Sequence, residues 1–189
     1  MSMHSIGKHR ELILLALAAV VIAPLRAQSH PTSAGSLSVQ LQNGSGLQMV
    51  LYSDPSGVTL GNSGTSSASL GFGTVAAYGT LSSNVSRTNG SGNFTVSTPF
   101  DVNVQVSGVS SANYTLTASL SSAAPTGVTL QIDTVTLTTS SQSIQTNGSY
   151  GNNVSHTFSA VVSTAGSGSG GPTTGTQLTS TVNFVATAN

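Results

Sequence analysis

Apolar residues recur at every second position in this chain, and that spacing restricts it to β-structure. Phe100, Val102, Val104 and Val106 share one parity; Asp101, Asn103 and Gln105 share the other. Successive side chains of a strand point to opposite faces, so this segment has one apolar and one polar face. Tyr114, Leu116, Ala118 and Leu120 repeat the pattern, as do Val128, Leu130 and Ile132. Val135 and Leu137 resume it after a phase change at Asp133, and Val182, Phe184, Ala186 and Ala188 repeat it near the C-terminus. Weaker alternation predicts strands over 37–41, 47–52, 70–75, 93–97 and 154–162. Beyond residue 27, no segment places apolar residues at three- and four-residue spacing over three turns. Gly, Ser, Thr and Asn dominate instead, and these are mediocre to poor helix formers.

Turn chemistry separates the runs. Asn43-Gly44, Asn89-Gly90 and Asn147-Gly148 predict hairpin turns, because both residue types tolerate positive φ. Asp54-Pro55-Ser56-Gly57 predicts another turn. Many short alternating strands with regular turns predict an all-β fold, an antiparallel sandwich or barrel. Residues 164–176, with Gly166-Ser167-Gly168-Ser169-Gly170-Gly171, read as a flexible loop before the last strand. No internal repeat or domain boundary interrupts residues 36–189, which read as a single domain.

The N-terminal residues read differently. Lys8, His9 and Arg10 form a short basic stretch, residues 12–23 are unbroken apolar, and Pro24 ends the run before Leu25-Arg26-Ala27. This is the layout of a signal-peptide helix over 1–27, cleaved near Ala27. The apolar run has 12 residues, whereas a membrane-spanning helix needs about 20. No membrane span is expected after cleavage, although an uncleaved anchor is the alternative. Residues 28–35, with Pro31, form a polar lead-in. The expected localisation is secreted, periplasmic or cell-surface.

Charge then excludes whole classes of function. Only 4% of the 189 residues are charged, and there is no Cys and no Trp. Of the four basic residues, Lys8, Arg10 and Arg26 lie in the signal segment. The remainder keeps Arg87 against Asp54, Asp101 and Asp133, a net charge of 1 − 3 = −2. A nucleic-acid binder needs clustered Lys and Arg, so nucleic acid is excluded as a partner. Without cysteine there is neither a disulfide scaffold nor a thiolate metal site.

The candidate catalytic groups are few. A serine hydrolase would need His30 or His156 as its base. His30 lies in the polar lead-in; His156 shares a predicted strand face with Val154 and Phe158 and reads as a rim histidine. No Gly-x-Ser-x-Gly elbow follows a strand. Glycoside hydrolysis needs two carboxylates held about 5–10 Å apart, and nothing in the sequence brings two of the three aspartates together. Two distant histidines do not make a zinc site, and no Asp-rich loop marks calcium. No catalytic residue, cofactor or metal is assigned, and the chain reads as a non-enzyme. Seven Asn-x-Ser/Thr sites follow from the composition. Tyr52, Tyr78, Tyr114 and Tyr150 show no spacing of a stacking platform.

What remains is the sheet edge. Edge strands are normally guarded by Lys, Pro or inward-pointing charge. Beyond the signal segment there is no Lys and no Glu, and the prolines fall mainly in turns. Such a chain is expected to associate through its edges. Leu70-Gly71-Phe72-Gly73-Thr74-Val75 resembles the opening strand of spore coat U-like and related bacterial pilin-like domains. A Gly/Asn-rich hairpin, the Phe94–Val96 strand, Tyr114-Thr115-Leu116 and a final alternating strand follow in a similar order. The cysteine pair common in those families is missing, and Ala188 stands where many pilins carry an aromatic.

The resemblance implies an immunoglobulin-like, pilin-like β-sandwich assembled at the cell surface, where one subunit lends an N-terminal strand to the next. Leu37, Val39 and Leu41, in Ser36–Gln42, fit that donor strand, although any sandwich begins with such a strand and the chain's own first strand is the preferred reading. Val182, Phe184, Ala186 and Ala188 fit the C-terminal assembly strand. The implied partners are further copies or other surface subunits and a periplasmic chaperone. The expected function is a structural or adhesive subunit. The alternatives are a secreted carbohydrate-binding module and a small secreted hydrolase.

Overall fold

The computed structural model describes residues 35–39, 46–165, 172, 175 and 177–189, with 35–39 described by backbone alone. The proposed signal segment, Leu41, the Asn43-Gly44 turn and most of the Gly/Ser loop lie outside the described residues. Within them the chain is all-β, with no helix. The strands are β1 (Gly35–Val39), β2 (Leu47–Ser53), β3 (Ser67–Leu70), β4 (Ser86–Asn89), β5 (Asn93–Val106) and β6 (Asn113–Leu120). They continue with β7 (Val128–Ile132), β8 (Val135–Thr136), β9 (Gln142–Ser149), β10 (Asn153–Ser163) and β11 (Thr181–Ala188). Two sheets result: one in the order β3-β1-β11-β6-β9, the other β2-β5-β10-β7-β8, with β4 also paired to β5.

The alternating apolar faces meet between the sheets. Val96, Phe100, Val102 and Val104 of β5 are buried, as are Tyr114, Leu116 and Ala118 of β6. Phe100 and Phe184, from opposite sheets, have ring centroids 6.0 Å apart. Each large apolar side chain fully withdrawn from water contributes roughly 1.5–3 kcal/mol. With no cysteine, this packing and the backbone ladders hold the fold.

Every pairing between strands is antiparallel except β1 with β11, which run parallel from Ser36↔Thr181 to Val39↔Phe184. The sheets are antiparallel as expected, with this one parallel pair as the exception. β1 and β11 are not joined by a hairpin, so no short connection forces them to oppose.

Several local readings change. The predicted 93–97 and 100–106 strands are one 14-residue strand, β5, running through Pro99. Pro99 faces Thr157 of β10, but the Thr157 N–H donates to Asp133 Oδ1 and its carbonyl accepts from the Asp133 N–H. The missing proline N–H therefore points away from β10. It falls between the stretch of β5 paired to β4 and the stretch paired to β2, where no ladder bond is lost. The predicted 70–75 strand is only the end of β3; beyond Leu70 the chain leaves the sheet. β4 and β9 were not expected, since β4 has no apolar residue and β9 only Ile144.

The phase change at Asp133 is a two-residue hairpin between β7 and β8. Asp133 has φ 54° and Thr134 φ 101°. This left-handed pair suits the sheet twist but is unusual for threonine.

Asn147-Gly148 is not a turn. It lies inside β9, and the chain reverses at Gly151, φ 80°. Gly148 has another cause: a Cβ there would sit 2.2 Å from Tyr114 Cζ. The Tyr114 ring lies flat over the β9 backbone, with its hydroxyl donating to Gln145 Oε1 at 3.2 Å. Gly148→Ala is expected to destabilise the domain by about 1–3 kcal/mol through overpacking. In a Tyr114→Ala background most of that penalty should vanish, and denaturant unfolding of the two single and one double variant measures the coupling.

Candidate functional site

The expected assembly strands lie in one sheet. β1 occupies an interior position, pairing Gly35–Ser38 with β3 and Ser36–Val39 with β11. Leu37 stands opposite Val182 and Val39 opposite Phe184. Val182, Phe184 and Ala186 are buried in the core, and partly exposed Ala188 stands opposite Tyr114. β11 is bonded to β1 on one side and β6 on the other, so it has no free edge while β1 is in place.

Apart from Arg87 on β4, which pairs only with β5, the edge strands carry no charge, yet they are not bare. The bridges Leu51↔Thr65 and Gly61↔Ser69 lay residues 61–65 along both β2 and β3. β8 has only two residues, and β9 meets β6 through register shifts on both sides of Leu116. Short strands and bulges blunt an edge as charge does. Arg87 sits on the edge strand β4 and reaches beyond it to a loop. Its guanidinium donates to the carbonyls of Ala76 (2.9 Å) and Gly79 (3.1 Å), and Asn89 Nδ2 donates to Ala77 O at 2.9 Å. The loop so braced carries Tyr78, which is 83% exposed. The other three tyrosines are buried or half-buried.

The titratable groups gather elsewhere, around residues 153–157 of β10. All three aspartates beyond the signal segment contact this stretch. Asn153 Nδ2 donates to Asp101 Oδ2 (3.3 Å), Ser155 Oγ donates to Asp54 Oδ2 (2.8 Å), and His156 Nδ1 lies 2.5 Å from Asp133 Oδ2. This convergence leaves no mark in the sequence, because it depends on register. Asp101 faces Tyr52 of β2 on one side and Ser155 on the other, while Asn103 faces Val50 and Asn153.

Asp54 and Asp101 both adjoin Ser155, which bonds Asp54 and stands opposite Asp101 in the ladder. Asp54 titrates below the usual carboxylate range because the Ser56 hydroxyl and N–H, then Ser155, donate to it. Burial pushes Asp101 upward, and the charge of Asp54 adds to that.

His156 is not on the rim: it is 4% exposed, inside the core against Phe100 at 6.0 Å. Its Nδ1–H serves Asp133, and its buried Nε2 has no hydrogen-bond partner. A nucleophilic serine would have to reach Nε2, and among the described residues none does. The pair ties β10 to the β7–β8 turn.

One cavity of about 380 Å³ opens at an end of the domain, walled by Phe72, Val75, Val128, Leu130, Phe158 and Leu178. No charged side chain lines it. No protein-family model matches the chain, and no curated protein matches it either.

The Asp101 shift fixes a pH dependence. A carboxyl whose folded pKa is raised carries no penalty below its unfolded value, 3.8, and destabilises increasingly as pH rises through the folded value. Asp101→Asn keeps the shape of the side chain without the charge. In chelator-treated buffer its melting temperature should exceed that of the parent at pH 7, and the two should converge near pH 3. Thermal melts across that range test this.

Proposed function

We propose that the two packed sheets form an immunoglobulin-like, pilin-like sandwich, and that the chain is a secreted or cell-surface structural or adhesive subunit. It is exported through residues 1–27, cleaved near Ala27, and assembles by strand pairing with further copies or other surface subunits. The observation carrying this reading is the position of β1. It is a five-residue strand in the interior of its sheet. Removing it exposes the ladders of both β3 and β11, and an equivalent strand from another chain restores them with the same pairings.

Size-exclusion chromatography with light scattering should detect concentration-dependent oligomers. Deletion of residues 36–42 should abolish them, and a synthetic peptide of that sequence should bind the truncated chain. A parent that stays monomeric at high concentration, or a truncated chain that ignores the peptide, counts against assembly through β1.

A second reading, a carbohydrate-binding module, is favoured by Tyr78 alone: an exposed ring on a loop braced by Arg87 and Asn89. Such a ring can stack on an apolar sugar face. On this reading Tyr78→Ala should lose at least tenfold in retention on an immobilised glycan while melting like the parent. An array with no retained glycan dismisses it.

A further inference from the structure

We propose that the cavity at the end of the domain binds a neutral amphiphile: one hydrocarbon chain carrying a hydroxyl, ester or amide head. Its floor is the inner face of the second sheet. Val96, Ala160 and Leu130 form one cross-strand row of β5, β10 and β7, and Phe158 and Val162 flank Ala160 along β10. All five are buried core residues that line the cavity. The first sheet supplies only Leu70, the last residue of β3. Loops roof the rest, chiefly residues 72–75 after β3 and 177–180 before β11.

The space follows from that exchange of strand for loop. Two packed sheets fill the gap between them with interdigitated side chains. Here Gly73, Thr74, Gly175, Thr179 and Ser180 take those places, and Ala160 at the centre of the floor is itself small. Phe72 closes one side by stacking on Phe158, with ring centroids 5.9 Å apart. Leu178, 37% exposed, stands at the mouth. The resulting volume is about 380 Å³, within the roughly 300–1,000 Å³ of small-molecule pockets. A dry apolar cavity of about 150 Å³ already takes up benzene.

The lining also selects the head group. No side chain in it is charged, and residues 163–181 contain no charged residue at all. The only basic side chain beyond the signal segment, Arg87, is bound to the carbonyls of Ala76 and Gly79. A carboxylate or ammonium drawn into the cavity would lose water and meet no opposite charge, which is costly. Thr74, Gln177, Thr179 and Ser180 offer hydroxyls and an amide, and these can bond a neutral hydroxyl, ester or amide. The walls come from a single chain, so binding needs no second copy.

The test uses the purified chain and N-phenylnaphthylamine, a neutral fluorophore that brightens in apolar surroundings. The probe should saturate one site, and decanol should displace it. Along a series of straight-chain alcohols, affinity should rise about fourfold per added methylene, then level off once the chain fills the cavity. Decanoate at neutral pH should compete about tenfold less well than decanol, because its charge has no partner. Ala160→Leu should fill the floor and weaken probe and decanol together about tenfold, while melting no lower than the parent. Leu178→Lys alters only an exposed loop residue and should shift the preference about tenfold toward decanoate; it decides the matter even if Ala160→Leu fails to fold. No saturable brightening, or an alcohol series that rises without a plateau, overturns the proposal. So does an unchanged preference in Leu178→Lys. Probe binding that appears only in Tyr78→Ala overturns it in favour of a second copy, whose exposed Tyr78 ring would then be the occupant.

Discussion

The ladder between β5 and β10 is the contact on which the rest of the domain depends. It runs without a break from Asn93↔Ser163 to Asn103↔Asn153. One face of this two-strand ribbon supplies the core: Phe94, Val96, Phe100 and Val102 from β5 with Phe158, Ala160 and Val162 from β10. The other face holds Asp101, Asn103, Asn153 and Ser155. A slip of one residue would exchange the two faces, putting Asp101 into the core and Phe100 into water. Register here is thus fixed by the core, and the polar cluster inherits its geometry from that choice.

The legible parts of the fold are those where a strand has one buried face. β6 and β11 read directly, because Tyr114, Leu116, Ala118 and Leu120, or Val182, Phe184 and Ala186, mark the inward side. β9 did not read, since its sequence Gln-Ser-Ile-Gln-Thr-Asn-Gly-Ser has little to bury; it is held by pairing to β6 and by the Tyr114 ring over Gly148. That glycine looked like half of a turn dipeptide, and only the partner strand shows that space is its reason. Residues 72–75 failed in the opposite way. Their alternating apolar residues face a cavity instead of a neighbouring strand. The polar cluster was invisible for a further reason. Asp54 and Asp101 are far apart in sequence, and so are Asp101 and Asn153; only the β2–β5–β10 register places them together.

The charge deficit takes on a different meaning with the sheets in place. Edges without lysine invite pairing, yet β8 is short, β9 is bulged, and residues 61–65 cover β2 and β3. The few ionisable groups are each spent on a local task. Arg87 braces the Tyr78 loop, Asp133 anchors a strained turn to Thr157 and His156, and Asp54 organises the turn at Ser56. Hydroxyls and amides perform the remaining surface pairing, including Thr98, which is buried and links Val58 N–H to the carbonyl of Asn84.

The position of β1 bears on how assembly could be controlled. A strand with identical contacts in its own chain and in a neighbour has no intrinsic preference between them. The balance is set by concentration against the effective concentration imposed by the connection to β2. That connection spans residues 40–46 and crosses from one sheet to the other. A connection this short confines β1 near its own slot, with effective concentrations in the millimolar range if it is flexible. Exchange then requires either crowding at a surface or a partner that holds the slot open until β1 of another chain arrives. On the proposed assembly, the choice between a closed monomer and a lent strand therefore stays with the connection that precedes β2.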